Sequence, residues 1–179
     1  MGDIKSTLDL VLEKTKHLAL SSEEKQAQAK KNIDNRIKGL VQKYQDGLFS
    51  LGQLQRDYDV LKTEFNLSDN TSLANEIINR LDPGMDNRAL FDVLEHCCDL
   101  ESGGLSNIVS EHQAGYETAT QNRMATLKER LAQQHSISGS AVVPNLDADE
   151  KWHREAQELR SLFEDGLSRE RVNLLGKGS

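Results

Sequence analysis

The residues best suited to chemistry lie in one acidic stretch in the middle of the chain. Asp92, His96 and Asp99 follow one another at spacings of four and three, so on a helix they would share one stripe. Carboxylate oxygens and imidazole nitrogens are common metal ligands. His112 would add a fourth ligand if the next helix packs antiparallel. A solvated polar helix face has the same pattern, so the sequence is compatible with a metal site and with an ordinary surface.

Two adjacent cysteines, Cys97 and Cys98, lie within this stretch. A helical wheel with about 100° per residue places both thiols on the same face as Leu90, Phe91 and Leu94. Zinc sites usually separate their cysteines by two to four residues, and neighbouring cysteines cannot easily face one ion. We therefore predict two buried thiols that pack as small apolar side chains.

Other motifs that mark enzymes are incomplete or missing. Gly103 and Gly104 are not followed by the lysine of a phosphate-binding loop. Glu150 and His153 have the spacing of a di-iron ligand motif, but such a centre needs this motif twice and two further helical glutamates. The sequence also has no Gly-x-Ser-x-Gly nucleophile elbow. We therefore predict no catalytic residues and no cofactor, and an enzyme is the less favoured class.

The charge of the chain is unevenly distributed. The formal net charge is −7, and residues 64–117 carry 11 acidic but only two basic side chains. No lysine lies between Lys62 and Lys128. Because such a region repels phosphate backbones, we predict no nucleic-acid partner.

The hydropathy pattern argues against a membrane protein. No window approaches the roughly 18 consecutive apolar residues of a membrane-spanning helix, and the N-terminus lacks the apolar core of a secretion signal. Two cysteines are too few for a disulfide framework. We therefore predict a cytoplasmic location and no membrane partner.

Apolar residues recur with helical spacing almost throughout, which predicts an all-α, multi-helix bundle of about seven helices. Ser21 with Glu24, and Ser50 with Gln53, match the capping box that begins a helix. Gly47 is placed to end the helix between them. We therefore predict a helical hairpin in the N-terminal half, after a first helix from about Asp3 to Leu20.

The C-terminal third shows a change in composition. A Ser/Gly-rich segment precedes an amphipathic stretch that Asp147 is placed to cap and Gly166 to end. The predicted organisation is a helical bundle domain over residues 1–135, a linker over 136–146, a C-terminal helix over 147–167 packed on the bundle, and a flexible tail over 168–179.

Two features could serve protein binding. The first is an apolar seam with steps of three and four, typical of coiled-coil packing over about two heptads. The seam consists of Leu51, Leu54, Tyr58, Leu61 and Phe65. The second is Trp152, the only tryptophan, on the helix after the linker. Tryptophan is enriched at interface hot spots, although packing within its own bundle is the favoured interpretation of each feature.

The N-terminal residues 3–16, followed by Ser21, Ser22, Glu23, Glu24 and Lys25, resemble the start of a group of small uncharacterised bacterial helical proteins. The resemblance implies a bacterial source and carries no function.

The sequence therefore favours a non-catalytic helical interaction protein, an adaptor or a regulatory subunit. Its partner is expected to be another protein or a second copy, because short helices with a lean core gain from burying apolar stripes between chains. The alternative is a metal-binding or small-ligand-binding helical protein, enzymatic or not, which uses the acidic, histidine-containing middle region.

Overall fold

The computed structural model describes residues 21–176, which fold into helices and connecting segments without a β-strand. The α-helices of this range are α1 (Ser22–Gln45), α2 (Leu51–Phe65), α3 (Thr71–Asn79), α4 (Arg88–Cys97), α5 (Gly103–His135) and α6 (Glu150–Gly176). The prediction of an all-α fold is confirmed. These six helices compare with about seven predicted, and the first predicted helix lies outside the described residues. None of the six is long and apolar enough to cross a membrane.

Both predicted capping boxes are present. The Ser21 hydroxyl accepts a hydrogen bond from the Glu24 backbone N–H, and the Glu24 carboxylate accepts one from the Ser21 N–H. Ser50 and Gln53 make the same reciprocal pair at the start of α2. Gly47 has a φ of +71° in the turn after α1, a backbone conformation that glycine adopts without strain. Local sequence thus fixes where α1 ends and α2 begins.

The first four helices form one packed unit. α1 packs on α2 and α3, and α4 packs on the same two helices. The centre of the unit is apolar. Its essentially inaccessible side chains are Ile37, Val41, Leu54, Tyr58, Leu61, Leu73, Ile77, Ile78, Val93 and Leu94.

α5 and α6 form a long antiparallel pair. A Cβ on Gly166 of α6 would lie 3.2 Å from the Ile108 side chain of α5, and one on Gly115 would lie 3.8 Å from Leu159. The residue numbers of the contacting positions therefore fall along α6 as they rise along α5, so the two helices run in opposite directions. Gly166 allows a close approach of the two helices. The prediction that Gly166 ends α6 is wrong, because the helix continues to Gly176.

The predicted flexible tail over 168–179 is corrected for residues 168–176, because α6 continues to Gly176. Residues 177–179 lie outside the described residues. Leu167 is buried in the core, while Leu174 and Leu175 pack against it. The Arg171 guanidinium donates a hydrogen bond to the Asn79 side chain of α3. These contacts anchor the last turns of α6 on the four-helix unit.

The segment between α5 and α6 is irregular up to a short 3₁₀ helix over Leu146–Ala148. Most of its side chains are exposed, but Pro144 is buried. Asp147 does not cap α6, because the helix begins later, at Glu150. Asp149 takes that role, and its Oδ1 accepts a hydrogen bond from the Trp152 N–H at 2.8 Å.

Candidate functional site

The predicted interaction seam lies inside the protein's own core. Leu54, Tyr58 and Leu61 are essentially fully buried, and the half-buried Leu51 and Phe65 pack against the same cluster. The prediction of these five residues as a binding surface is therefore corrected. The apolar stripe of α2 is already covered by contacts within the chain.

Trp152 is also buried within its own chain, with 5% of its surface exposed. Its ring meets the Tyr116 ring of α5 edge to face, with 5.2 Å between centroids. Trp152 therefore joins the start of α6 to α5, and the prediction of a docking anchor for a partner is corrected.

An ion pair holds the same end of α6 against α5. Arg123 Nη2 lies 2.6 Å from Asp149 Oδ2, and Arg123 Nε donates to Asp149 Oδ1 at 3.0 Å. Hydrogen bonds from the Arg123 side chain and the Trp152 N–H lower the pKa of Asp149 from 3.8 to about 2. The ionised Asp149 therefore stabilises the folded state above pH 3.8, and this stabilisation is lost as the pH falls through about 2.

We expect Asp149→Asn to loosen the start of α6, because the substitution removes the charge that Arg123 faces. The emission of Trp152 should move to longer wavelength at neutral pH, and its response to acid between pH 3.8 and 2 should weaken. Fluorescence spectra recorded from pH 7 to 2 measure both effects. The control is Glu164→Gln, which removes the exposed pair with Arg160 on α6. An emission spectrum unchanged in Asp149→Asn would contradict the assigned role.

The predicted metal ligands do not meet. Asp92 and His96 are exposed on α4, and Asp99 is exposed in the turn after it. His96 Nδ1 lies 2.9 Å from the backbone oxygen of Asp92. His112 lies apart from them, between α5 and α6. Between residues 21 and 176, no three histidine, cysteine, aspartate or glutamate side chains form a group that could hold a metal ion.

The two cysteines are not activated for chemistry. Cys98 is buried and Cys97 half-buried, which matches the prediction of packed thiols. Burial, followed by the neighbouring Cys97, raises the pKa of Cys98 to about 12, and burial also raises the pKa of Cys97. Because the thiolate is the nucleophile, thiols that stay protonated at neutral pH are poor catalysts.

His112 lies in an aromatic cluster between α5 and α6. Its ring centroid is 6.0 Å from that of Tyr116 and 5.1 Å from that of Phe163. Both ring nitrogens are buried without a hydrogen-bond partner, which is rare for buried polar atoms. Burial, and then the charge of Arg160, lower the pKa of His112, while Asp82 acts in the opposite direction.

A cavity of about 400 Å³ opens beside this ring, and we call it the His112 cleft. A hydrogen bond of 2.7 Å from the Gln113 side chain to the Pro83 oxygen joins two of its walls. Its volume falls in the lower part of the range for small-molecule pockets. The lining residues are Asp82, Pro83, Gly84, His112, Gln113, Tyr116, Glu117, Ala156 and Arg160.

A second cavity, of about 410 Å³, runs along the outside of the hairpin, and we call it the α1–α2 groove. Val60 is 62% exposed within it. The lining residues are Arg36, Gly39, Leu40, Lys43, Asp57, Val60 and Leu61. A Cβ on Gly39 would meet nothing within 4 Å, so the groove is open at this point.

The cations of the α1–α2 groove already make weak contacts within the chain. Arg36 Nη1 lies 2.6 Å from Glu64 Oε2, and Lys43 Nζ lies 5.0 Å from the centroid of the Phe49 ring. Exposed contacts of this kind contribute about 1 kcal/mol or less each. Both side chains can therefore be recruited by a partner at small cost.

A third cavity, of about 390 Å³, lies where α4 gives way to α5, and we call it the acidic end. Its lining residues are Glu95, Asp99, Leu100, Glu101, Ser102 and Gly103. Asp99 has a φ of +56°, which turns the chain sharply after α4. Leu100 is half-buried between the exposed carboxylates of Asp99 and Glu101.

The α1–α2 groove was not predicted from the sequence. Val60 is an apolar residue outside the seam of α2, and Gly39 lies within α1 two residues after the buried Ile37. Both are visible in the sequence as departures from the helical pattern. They indicate a groove only when α1 and α2 are placed side by side, because the cavity is lined by residues of both helices.

Comparisons with known proteins found no matching family model, no matching curated protein and no matching solved structure.

Proposed function

We propose that this chain is a non-catalytic helical interaction protein, an adaptor or regulatory subunit, that binds a protein partner in the α1–α2 groove. The observation that carries the proposal is the exposed Val60 beside Leu40, flanked by the cations of Arg36 and Lys43. An apolar floor with a charged rim is the usual composition of a protein-binding surface.

The chemistry of the rim indicates what the partner must offer. Arg36 and Lys43 favour carboxylates, and the apolar floor favours an aliphatic or aromatic side chain between them. Asp57 is the single acidic side chain of the lining. We therefore expect a partner segment with an apolar side chain flanked by acidic residues.

The proposal is tested by placing a photo-crosslinking amino acid at position 60 in the full chain. Irradiation in the native cell should yield a discrete crosslinked protein. The matched control is position 172, where another valine is 70% exposed on α6. Crosslinking at 60 but not at 172 is the expected result, and equal or absent crosslinking at both would refute the proposal.

A second candidate function is small-ligand binding in the His112 cleft. The observation in its favour is the pair of buried ring nitrogens without a partner, since the protein leaves their hydrogen-bonding capacity unused. The walls combine the apolar Pro83 and Ala156 with charges of both signs, which fits a small amphipathic molecule.

Titration with one aromatic acid and one aromatic amine, benzoate and benzylamine, tests this second candidate. Either compound should shift the ring NMR signals of His112 in the wild type but leave those of the exposed His96 in place. The ring signals of His112 unmoved by both compounds would contradict binding in the His112 cleft.

A further inference from the structure

We propose that the partner of the α1–α2 groove is the acidic end of a second copy, so that copies of this chain associate head to tail. The inference rests on the proposed function of the groove and names its occupant.

The two surfaces match in their order of chemical groups. In the groove, Leu40 lies between Arg36 and Lys43 along α1, and Val60 of α2 lines the same cavity. At the acidic end, Leu100 lies between the carboxylates of Asp99 and Glu101. An apolar side chain flanked by acids thus faces an apolar floor flanked by cations.

The surroundings extend this complementarity. The stretch that forms α1 carries six basic and three acidic side chains. Residues 64–117, which include the acidic end, carry 11 acidic and two basic ones. Attraction between these regions raises the rate of encounter and fixes the orientation of the two copies. Because the charged groups are exposed, the attraction is screened over about 8 Å at physiological ionic strength.

Because the two surfaces differ, the contact between copies is heterologous and does not close in a dimer. The groove is lined by residues of α1 and α2, and the acidic end by residues of α4, α5 and the turn between them, so the two surfaces share no residue. One copy can therefore use both surfaces at once. Such a head-to-tail contact leaves a free groove at one end of a dimer and a free acidic end at the other, so that the assembly grows unless it closes into a ring.

The test uses two full-length variants, each of which removes one surface. The groove variant is Lys43→Glu with Val60→Glu, and it keeps the acidic end. The end variant is Asp99→Asn with Glu101→Lys, and it keeps the groove. Asparagine is chosen at position 99 because it tolerates the positive φ found there. All four substituted side chains are exposed, and circular dichroism checks that both variants remain folded.

Sedimentation velocity at micromolar concentrations gives the result. The wild type should form species heavier than a dimer as its concentration rises, and 0.5 M salt should dissociate them. Each variant alone should stay at the monomer mass of 20.0 kDa. An equimolar mixture of the two variants should form a species of twice that mass and no larger one, because only one intact pair of surfaces remains.

Two outcomes would overturn the inference. One is a wild type that stays monomeric at all concentrations, and the other is a single variant that still associates with itself. If the wild type is monomeric while position 60 still crosslinks to a different protein, the head-to-tail inference fails and the proposed function stands. If position 60 crosslinks to nothing, the proposed function fails as well.

Discussion

Replacement of Tyr58 by alanine should lower the free energy of unfolding by about 3–5 kcal/mol, the usual range for truncating a buried aromatic side chain. Tyr58 is 1% exposed at the centre of the four-helix unit. The loss is a large fraction of the roughly 5–15 kcal/mol that stabilises a typical domain. Urea denaturation followed by circular dichroism measures it.

Two further variants separate a core role of Tyr58 from an interface role. Tyr58→Phe should change stability by about 1 kcal/mol or less, because the Tyr58 hydroxyl makes no hydrogen bond of good geometry, although the backbone of Leu73 lies close to it. Val60→Ala, on the exposed side of the same helix, should change stability by less than about 0.5 kcal/mol. If Tyr58→Ala kept full stability, the assignment of the seam to the core would be wrong.

Acidification from pH 7 to 5 should destabilise the wild-type protein through His112. Its folded-state pKa lies below the ordinary value of 6.5, so the unfolded chain binds the proton more readily in this range. Stability therefore falls as the pH drops below about 6.5, and it is unaffected by this group above that value. Arg160 of α6 adds to the effect by repelling the imidazolium, and Asp82 reduces it.

His112→Phe should remove this part of the pH dependence, since phenylalanine does not titrate. The variant should also retain or gain stability at pH 7, because it removes two buried nitrogens without partners. Urea midpoints at pH 7, 6 and 5 give the comparison, with the exposed His96→Gln as the control. A pH dependence as steep in His112→Phe as in the wild type would exclude His112 as its source.

The helices were predictable because their signals are local. The Ser21–Glu24 and Ser50–Gln53 boxes satisfy backbone donors within four residues, so the sequence alone specifies these helix starts. Gly166 gave a false stop signal, because a glycine near a helix end looks the same as a glycine that admits a neighbouring helix. Only the approach of Ile108, 58 residues earlier in the chain, distinguishes the two.

The candidate surfaces were less predictable than the helices. Spacing placed Asp92 and His96 on one face of α4, as the structure has them, but α4 ends at Cys97 and Asp99 lies in the turn beyond it. The position of His112 depends on how α5 and α6 pack together. The α1–α2 groove depends in the same way on which sides of two helices remain uncovered. Such information resides in tertiary packing, which helical periodicity does not encode.

The placement of lysines on α1 has a practical consequence for studies in vitro. Within the described part of the chain, five of the eight lysines lie on α1, and Lys43 lines the α1–α2 groove itself. Amine-reactive dyes, and sensor chips that couple through primary amines, therefore alter the groove wherever they react with Lys43. Immobilisation through a tag at the C-terminus leaves these amines untouched and the groove accessible to a ligand in solution.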